Sequence, residues 1–259
     1  GDDCLMYLGD NLVKDGVRDV VADFATHRPN CQILLCPVDN PSSFGVADLG
    51  PDGRIIRLVE KPAVPPSNLA LVGVYLFDNT IGEAIDAIRP SARGELEITD
   101  AIQYLVEKGF SVQPHLVSGW WKDTGKPEDI LEANHLILDG IAASNEGSVE
   151  GNSSVVGRVR IGKGTVILGQ SVVRGPSIIG ANCKIGPNAY VGPYTAIGDN
   201  CQVRAAEISD SIVMDGATIN VENKFVVSLI GKNSKILSAN GLLPKGGRLV
   251  VGENTTVFL

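Results

Sequence analysis

The stretch VEGNSSVVGRVRIGKGTVILGQSVVRGPSIIGANCKIGPNAYVGPYTAIGDNCQVRAAEI, residues 149–208, decides the architecture of the chain. Aliphatic residues recur every six positions at Val149, Val155, Ile161, Ile167, Val173, Ile179, Ile185, Val191, Ile197 and Val203. Four places after each stand Ser153, Val159, Thr165, Ser171, Ser177, Cys183, Ala189, Thr195, Cys201 and Glu207, small or branched until the last. Glycine follows the aliphatic at Gly162, Gly180, Gly186, Gly192 and Gly198. A helix of period 3.6 cannot hold a six-residue repeat on one face, and a long strand of period two needs no glycine at every corner. A coil of short parallel strands meets both demands: the aliphatic points inward, the small residue fills the corner, and Gly or Asn relaxes the turn. Three hexads per turn would stack Cys183 and Cys201 about 4.8 Å apart. That spacing permits a disulfide, but two reduced core thiols are the expectation. Glu207 in a small-residue position predicts a distortion of the coil there, with recognisable turns returning at Ile230 and Val251.

Outward from this array, 259 residues with 44% hydrophobic and 20% charged composition suit a globular protein of two domains, read as residues 1–141 and 142–259. A net charge of -8 argues against a nucleic-acid binder, which needs clustered Lys and Arg. Five cysteines, an odd number, point to a reducing compartment. With no apolar run of membrane-spanning length and no basic leader, a cytoplasmic location without membrane contact is expected. The coil ends and an apolar side of the solenoid predict a homo-oligomer.

The preceding 141 residues read as alternating strands and helices. A strand at 4–8 ends in Gly9-Asp10-Asn11, a helix with Val17, Val20, Val21 and Phe24 on one face follows, and CQILLCPV at 31–38 is a buried strand. The β, α, β order predicts a doubly wound α/β sheet. Residues 44–49 and 55–60 form a hairpin, and 69–77 another strand. Helices are expected at 80–88 and 98–108, then a short strand at 111–116. From Pro127 a last helix would bury Ile130, Leu131, Ile137 and Leu138, and the Gly, Ala, Ser and Asn-rich segment 139–148 reads as a linker.

Taken singly, the polar residues at these strand ends are ambiguous. Asp10 is as well explained by a turn, Glu60 with Lys61 by a solvated ion pair, Arg93 by a surface charge and Tyr75 by plain core. Gly73 permits close backbone approach within its strand. His27 reads as a helix-end cation.

In order, however, LGDN (8–11), FGV (44–46), EKP (60–62), VGVYLFD (72–78), RGELEITD (93–100) and WWKDTGKPEDILEAN (120–134) resemble the motifs of the sugar-nucleotide pyrophosphorylases. Together with the array, and with SLIGKNSKI (228–236) and RLVVGENTTVFL (248–259) as degenerate repeats, the chain is similar to the long form of the glucose-1-phosphate thymidylyltransferases. The resemblance implies a partial Rossmann-like nucleotidyltransferase domain followed by a left-handed parallel β-helix. It implies transfer of a nucleotidyl group from dTTP to glucose 1-phosphate, with release of pyrophosphate. Asp10 and Asp123 would hold Mg²⁺, and Lys61 and Arg93 would neutralise the sugar phosphate. Glu60 would accept from sugar hydroxyls. Asn11, Gly45 and the backbone at Leu71 would line the sugar side, with Gly73, Tyr75 and Trp121 completing the substrate-binding set.

The family's glycine-rich G-x-G-T-R-L-x-P loop and its base-recognition segment have no match in this sequence. The expectation is therefore a catalytic domain shortened at its N-terminus or completed by another chain, with a uridylyl- or guanylyltransferase of the same family, or a non-catalytic scaffold or regulatory protein, as the alternatives. Acyl transfer on the solenoid is disfavoured, because His27, His115 and His135 all precede the array.

Overall fold

The computed structural model describes residues 2–238, and the chain divides into two compact units, Gly1–Gly125 and Lys126–Leu259. The stretch 248–259 and the turn expected at Val251 lie outside the described residues.

In the first unit β1 (Cys4–Tyr7), β2 (Asn11–Val13), α1 (Arg18–His27), β3 (Cys31–Pro37), β4 (Gly45–Leu49), β5 (Ile55–Glu60), β6 (Leu69–Phe77), α2 (Ile81–Ala87), α3 (Ile98–Glu107), β7 (Val112–Leu116) and β8 (Trp121–Asp123) follow one another. The main sheet has the order β5-β4-β6-β3-β7, with β1 also paired to β6. The near-continuous apolar runs of β3 and β6 suit strands covered on both faces. One face of the sheet, with Leu34, Val72, Val74 and Leu76, packs with Val20 and Phe24 of α1. The other, with Ile33, Leu35, Leu71, Tyr75 and Phe77, packs with Ala84 of α2 and Ala101, Ile102 and Leu105 of α3.

The sheet is mixed rather than uniformly parallel. β3 and β7 run parallel, while β1, β3 and β4 are each antiparallel to β6. The connections account for it: the β4–β5 hairpin reverses the chain, and β6, which enters beside β4 and not beside β5, keeps the direction of β5. Two residues expected on buried helix faces, Val21 and Ile137, are 40% and 44% exposed, so the apolar stripes are narrower than the sequence suggested. Leu5, Met6 and Tyr7 of β1 are also exposed.

The second unit opens with α4 (Pro127–Asp139) and continues as a left-handed parallel β-helix of three parallel sheets, of six, five and six strands. The supposed linker already belongs to it, since Ser144–Asn145 and Ser148–Val149 are its first strands. Inward residues stack with a step of eighteen, Val149 on Ile167 on Ile185 on Val203. After Val203 the coil shortens: Val203 pairs with Ile219, and Ile208 with Phe225. Ala206, rather than Glu207, takes the small corner position and is fully buried, which locates the expected distortion.

The corner column shows why small hydroxyl and thiol residues recur. Thr165 Oγ1 donates to Gly180 O at 2.6 Å and accepts from Cys183 N at 2.9 Å. Cys183 Sγ donates to Gly198 O at 3.0 Å, and Cys201 Sγ to Met214 O at 3.2 Å. Each side chain thus ties one coil to the next, a role a reduced thiol fills as a hydroxyl does. Both cysteines are free and buried. The adjoining Cys201 thiol, with burial, pushes the Cys183 thiol up, so Cys183 stays protonated.

α4, assigned by sequence to the first domain, is bonded to these coils. Asn134 Nδ2 donates to Tyr194 O at 2.9 Å, the Tyr194 hydroxyl donates to Asp139 at 3.0 Å, and His135 meets Asp210. The imidazole lies 4.3 Å from the Tyr194 ring centroid. A histidine that precedes the array in sequence therefore stands against it in space.

Candidate active site

Two groups of side chains assemble on one face of β6, over Gly73 and over Leu71. These residues are two apart on the strand and so share a face, about 7 Å from one another. Over Gly73 lies Asn11, 4% exposed. Its Oδ1 accepts from Gly73 N at 2.9 Å and from Trp121 Nε1 at 2.7 Å, and its Nδ2 donates to Asp10 Oδ1 at 2.9 Å. A Cβ at position 73 would stand 2.7 Å from Asn11 Nδ2 and 2.8 Å from Leu8 Cδ1, so only glycine admits this packing. The short β2–β8 ladder sets Asn11 opposite Asp123. Thr124 donates to Asp10 O through its backbone N–H at 2.7 Å and its hydroxyl at 2.8 Å. Asp10 and Asp123, at strand ends far apart in sequence, thus occupy adjacent rungs. Gly125 N holds Asp123 Oδ1 at 3.0 Å.

Near Leu71 the β4–β5 hairpin pairs Gly45 directly with Glu60. Glu60 Oε2 accepts from the Thr99 hydroxyl at 3.2 Å, and Oε1 lies 3.4 Å from Arg93 Nη1. A Cβ at Gly45 would meet Thr99 Cγ2 at 2.7 Å, Glu60 Oε2 at 3.1 Å and Leu71 Cβ at 3.8 Å. Lys61, next along, adopts φ 38°, a left-handed conformation that costs a side-chain-bearing residue energy and is concentrated at functional positions. It is exposed, and no ion pair to it occurs among the described residues. Arg93 lies in a loop turned by Gly94 at φ 77°. Its guanidinium faces Glu60, Glu95 at 2.8 Å and Glu97 at 3.3 Å. Glu97 is 7% exposed and accepts from Ser91 Oγ at 2.8 Å. Its charge, after burial, helps push the Asp100 carboxyl above its usual range.

Phe44 joins the two groups, packing edge-on to Trp121 with centroids 5.1 Å apart immediately before Gly45. Tyr75 lies farther along the same face of β6 in the helix-covered core, 4% exposed and 6.1 Å from the Phe77 ring. Burial, followed by the Glu60 charge, pushes its hydroxyl well above the ordinary phenol range. A groove of about 510 Å³ opens beside Glu60 and Glu97, lined also by Ser91, Asp100 and Gln103. Carboxylates predominate among the charged residues of its lining, which also includes Arg57.

Ser91, Glu97, Thr99 and Thr124 were not singled out from sequence. Glu97 and Thr99 stand within RGELEITD and Thr124 within WWKDTG, so the motifs contained them; their roles arise only through contacts across the fold. Among the described residues, no three His, Cys, Asp or Glu side chains converge as a self-contained metal site.

Residues 1–140 match the model of the family described as nucleotidyl transferase, and residues 173–257 match that of the GMPPB C-terminal domain. The chain is 48% identical over 258 residues to the low-salt glycan biosynthesis nucleotidyltransferase Agl11 of Haloferax volcanii, covering 100% of this chain and 72% of that protein. It is 44% identical over 254 residues to a glucose-1-phosphate thymidylyltransferase of Streptomyces griseus, covering 98% and 71%, respectively. A protein of the same description from Streptomyces antibioticus is 43% identical over 257 residues, covering 99% and 71%. With the motif residues gathered along β6 in the first unit and a β-helix following in sequence, the chain belongs to the nucleotidyl transferase family.

Proposed function

We propose that the protein takes part in the transfer of a thymidylyl group from dTTP to glucose 1-phosphate, and that the residues described here form the sugar-phosphate side of that site. The observation that carries this reading is the grouping of Glu60, Lys61 and Arg93 around Gly45 and Leu71, beside the two aspartates at adjacent strand ends. Two relatives named glucose-1-phosphate thymidylyltransferase support the sugar and the base.

The parts have distinct tasks. Lys61 and Arg93 offset the charge of the sugar phosphate, and Glu60 accepts from sugar hydroxyls. Asn11 fixes Asp10 and the Trp121 indole so that both are in place before substrate arrives. In-line attack of a sugar-phosphate oxygen on the α-phosphorus of the nucleotide then depends on alignment and charge neutralisation, with no covalent group from the protein. The donor set fits Mg²⁺: Asp10 and Asp123 supply carboxylate oxygens only, and this ion takes few protein ligands and keeps water and phosphate oxygens for the rest. When bound there it would lessen the repulsion between the two phosphates.

Calorimetric titration of the 259-residue chain with glucose 1-phosphate tests the reading. Saturable binding that is lost in Lys61→Ala is expected. Equal heats for wild type and Lys61→Ala, or no binding at any concentration up to about 10 mM, a free energy near 3 kcal/mol, would overturn it.

A further inference from the structure

Arg93 is shared among three carboxylates that differ in burial. Its Nη1 lies between Glu60 Oε1 at 3.4 Å and Glu97 Oε1 at 3.3 Å, whereas Nη2 makes the shortest contact, to Glu95 Oε2 at 2.8 Å. The Glu97 side chain is 9% exposed and that of Glu60 20%, but that of Glu95 is 60% exposed. Glu97 is further fixed by Ser91 Oγ at 2.8 Å, and Ser91 Oγ also accepts from Arg93 N at 3.1 Å. The inner carboxylates therefore anchor one edge of the guanidinium. The other edge, facing solvent, is where an arriving phosphate finds N–H donors in the fork geometry that suits bidentate binding.

We propose that Glu95 is a gate on this edge: its carboxylate holds Arg93 Nη2 when no anion is bound and is displaced by the phosphate of the sugar phosphate. The proposal rests on Arg93 being the phosphate ligand in the function given above. Displacement is cheap, because an exposed ion pair is weak and Glu95, beside Gly94 at φ 77°, can turn its carboxylate to water. Glu95 thereby competes with any anion for Arg93 Nη2 and lowers the affinity for phosphate by the cost of its own displacement. Glu97 acts in the opposite sense, as a positioning residue that keeps Arg93 at the site.

The test compares wild type, Glu95→Gln and Glu97→Gln by calorimetry, with glucose 1-phosphate and with inorganic phosphate as separate probes. Glu95→Gln should bind both about two- to fivefold more tightly, the range an exposed pair supports. Glu97→Gln, which can keep the Ser91 hydrogen bond but loses the charge facing Arg93, should bind both more weakly. A gain of affinity does not arise from misfolding, so equal or weaker binding by Glu95→Gln overturns the gate. Tighter inorganic phosphate binding in Glu95→Gln without glucose 1-phosphate binding in any variant upholds the gate and overturns the sugar assignment. Glucose 1-phosphate binding that is the same in wild type and Glu95→Gln upholds the function and removes the gate.

Discussion

Asn11 and Asp123 face each other directly across the antiparallel pairing of β2 with β8. One partner is spent on internal hydrogen bonds, and the other ends the strand beside Asp10. Asn11→Ala would leave Gly73 N–H and the Trp121 indole N–H without their acceptor, at about 1–3 kcal/mol for each buried group. A lower melting temperature is expected, with Trp121 fluorescence altered. Asp123→Asn should melt as wild type does yet weaken divalent-ion binding, read as loss of the Mn²⁺-induced broadening of the glucose 1-phosphate phosphorus resonance. Broadening equal to that of wild type would remove Asp123 from the metal site.

Gly45→Ala places a methyl 2.7 Å from Thr99 Cγ2 and 3.1 Å from Glu60 Oε2. The Thr99 side chain must then shift, and with it the hydroxyl that Glu60 Oε2 accepts from, while the hairpin pairing survives. Binding of glucose 1-phosphate should weaken by about ten- to a hundredfold, the scale of a misplacement near 1 Å, with amide exchange of β4 and β5 little changed. Wild-type affinity in this variant would show that Glu60 does not touch the sugar.

The inward column through Ile185, fully buried, makes a sharp contrast with its neighbour Lys184, which is exposed. Ile185→Asp places an unpaired carboxylate between coils and should unfold adjacent coils together, a loss of several kcal/mol at about neutral pH. Lys184→Ala should alter the melting temperature by a degree or less, within the roughly ±0.5 kcal/mol usual for surface changes. Hydrogen exchange over residues 149–208 distinguishes the two. Equal protection in both variants would mean that the column does not hold the solenoid together.

Asp78 gives the first unit a pH dependence. Burial pushes its carboxyl up, but the hydroxyl and backbone N–H of Thr80 and the Asn30 amide hold it, on balance, below the usual range. A carboxyl depressed in the folded state contributes stability that is complete above its unfolded value and is lost as pH falls through its folded one. Acid unfolding of wild type should therefore steepen below the ordinary aspartate range, and Asp78→Asn should flatten that limb. An unchanged acid limb in Asp78→Asn would assign the effect to other groups.

How much of this was legible in the sequence differs between the two units, for a physical reason. In the solenoid each residue contacts the residue one coil away, so the period of the sequence is the period of the structure. Ile167, Ile185 and Val203 name their own neighbours. The irregularity at Glu207 was visible as a broken pattern, whereas its resolution, Ala206 entering the corner and the coil shortening, required the backbone. In the first unit the order of motifs marked candidate residues but not the partners each one meets. The contacts of Asn11 with Gly73 and Trp121 join residues far apart in the chain and, like those of Asn11 with Asp10 and of Tyr75 with Phe77, could be read only from the fold.

The sequence by itself determined the parallel coil, the hairpin that joins Gly45 to Glu60 and the residues that could bear charge at strand ends, because periodicity and turn chemistry are local. Tertiary structure alone decided three things: that β6 runs antiparallel to its neighbours, that α4 binds the coils through Asn134 and His135, and that Arg93 is divided among Glu60, Glu95 and Glu97. Each depends on which segments meet after the chain has folded, and on how burial then distinguishes otherwise identical carboxylates.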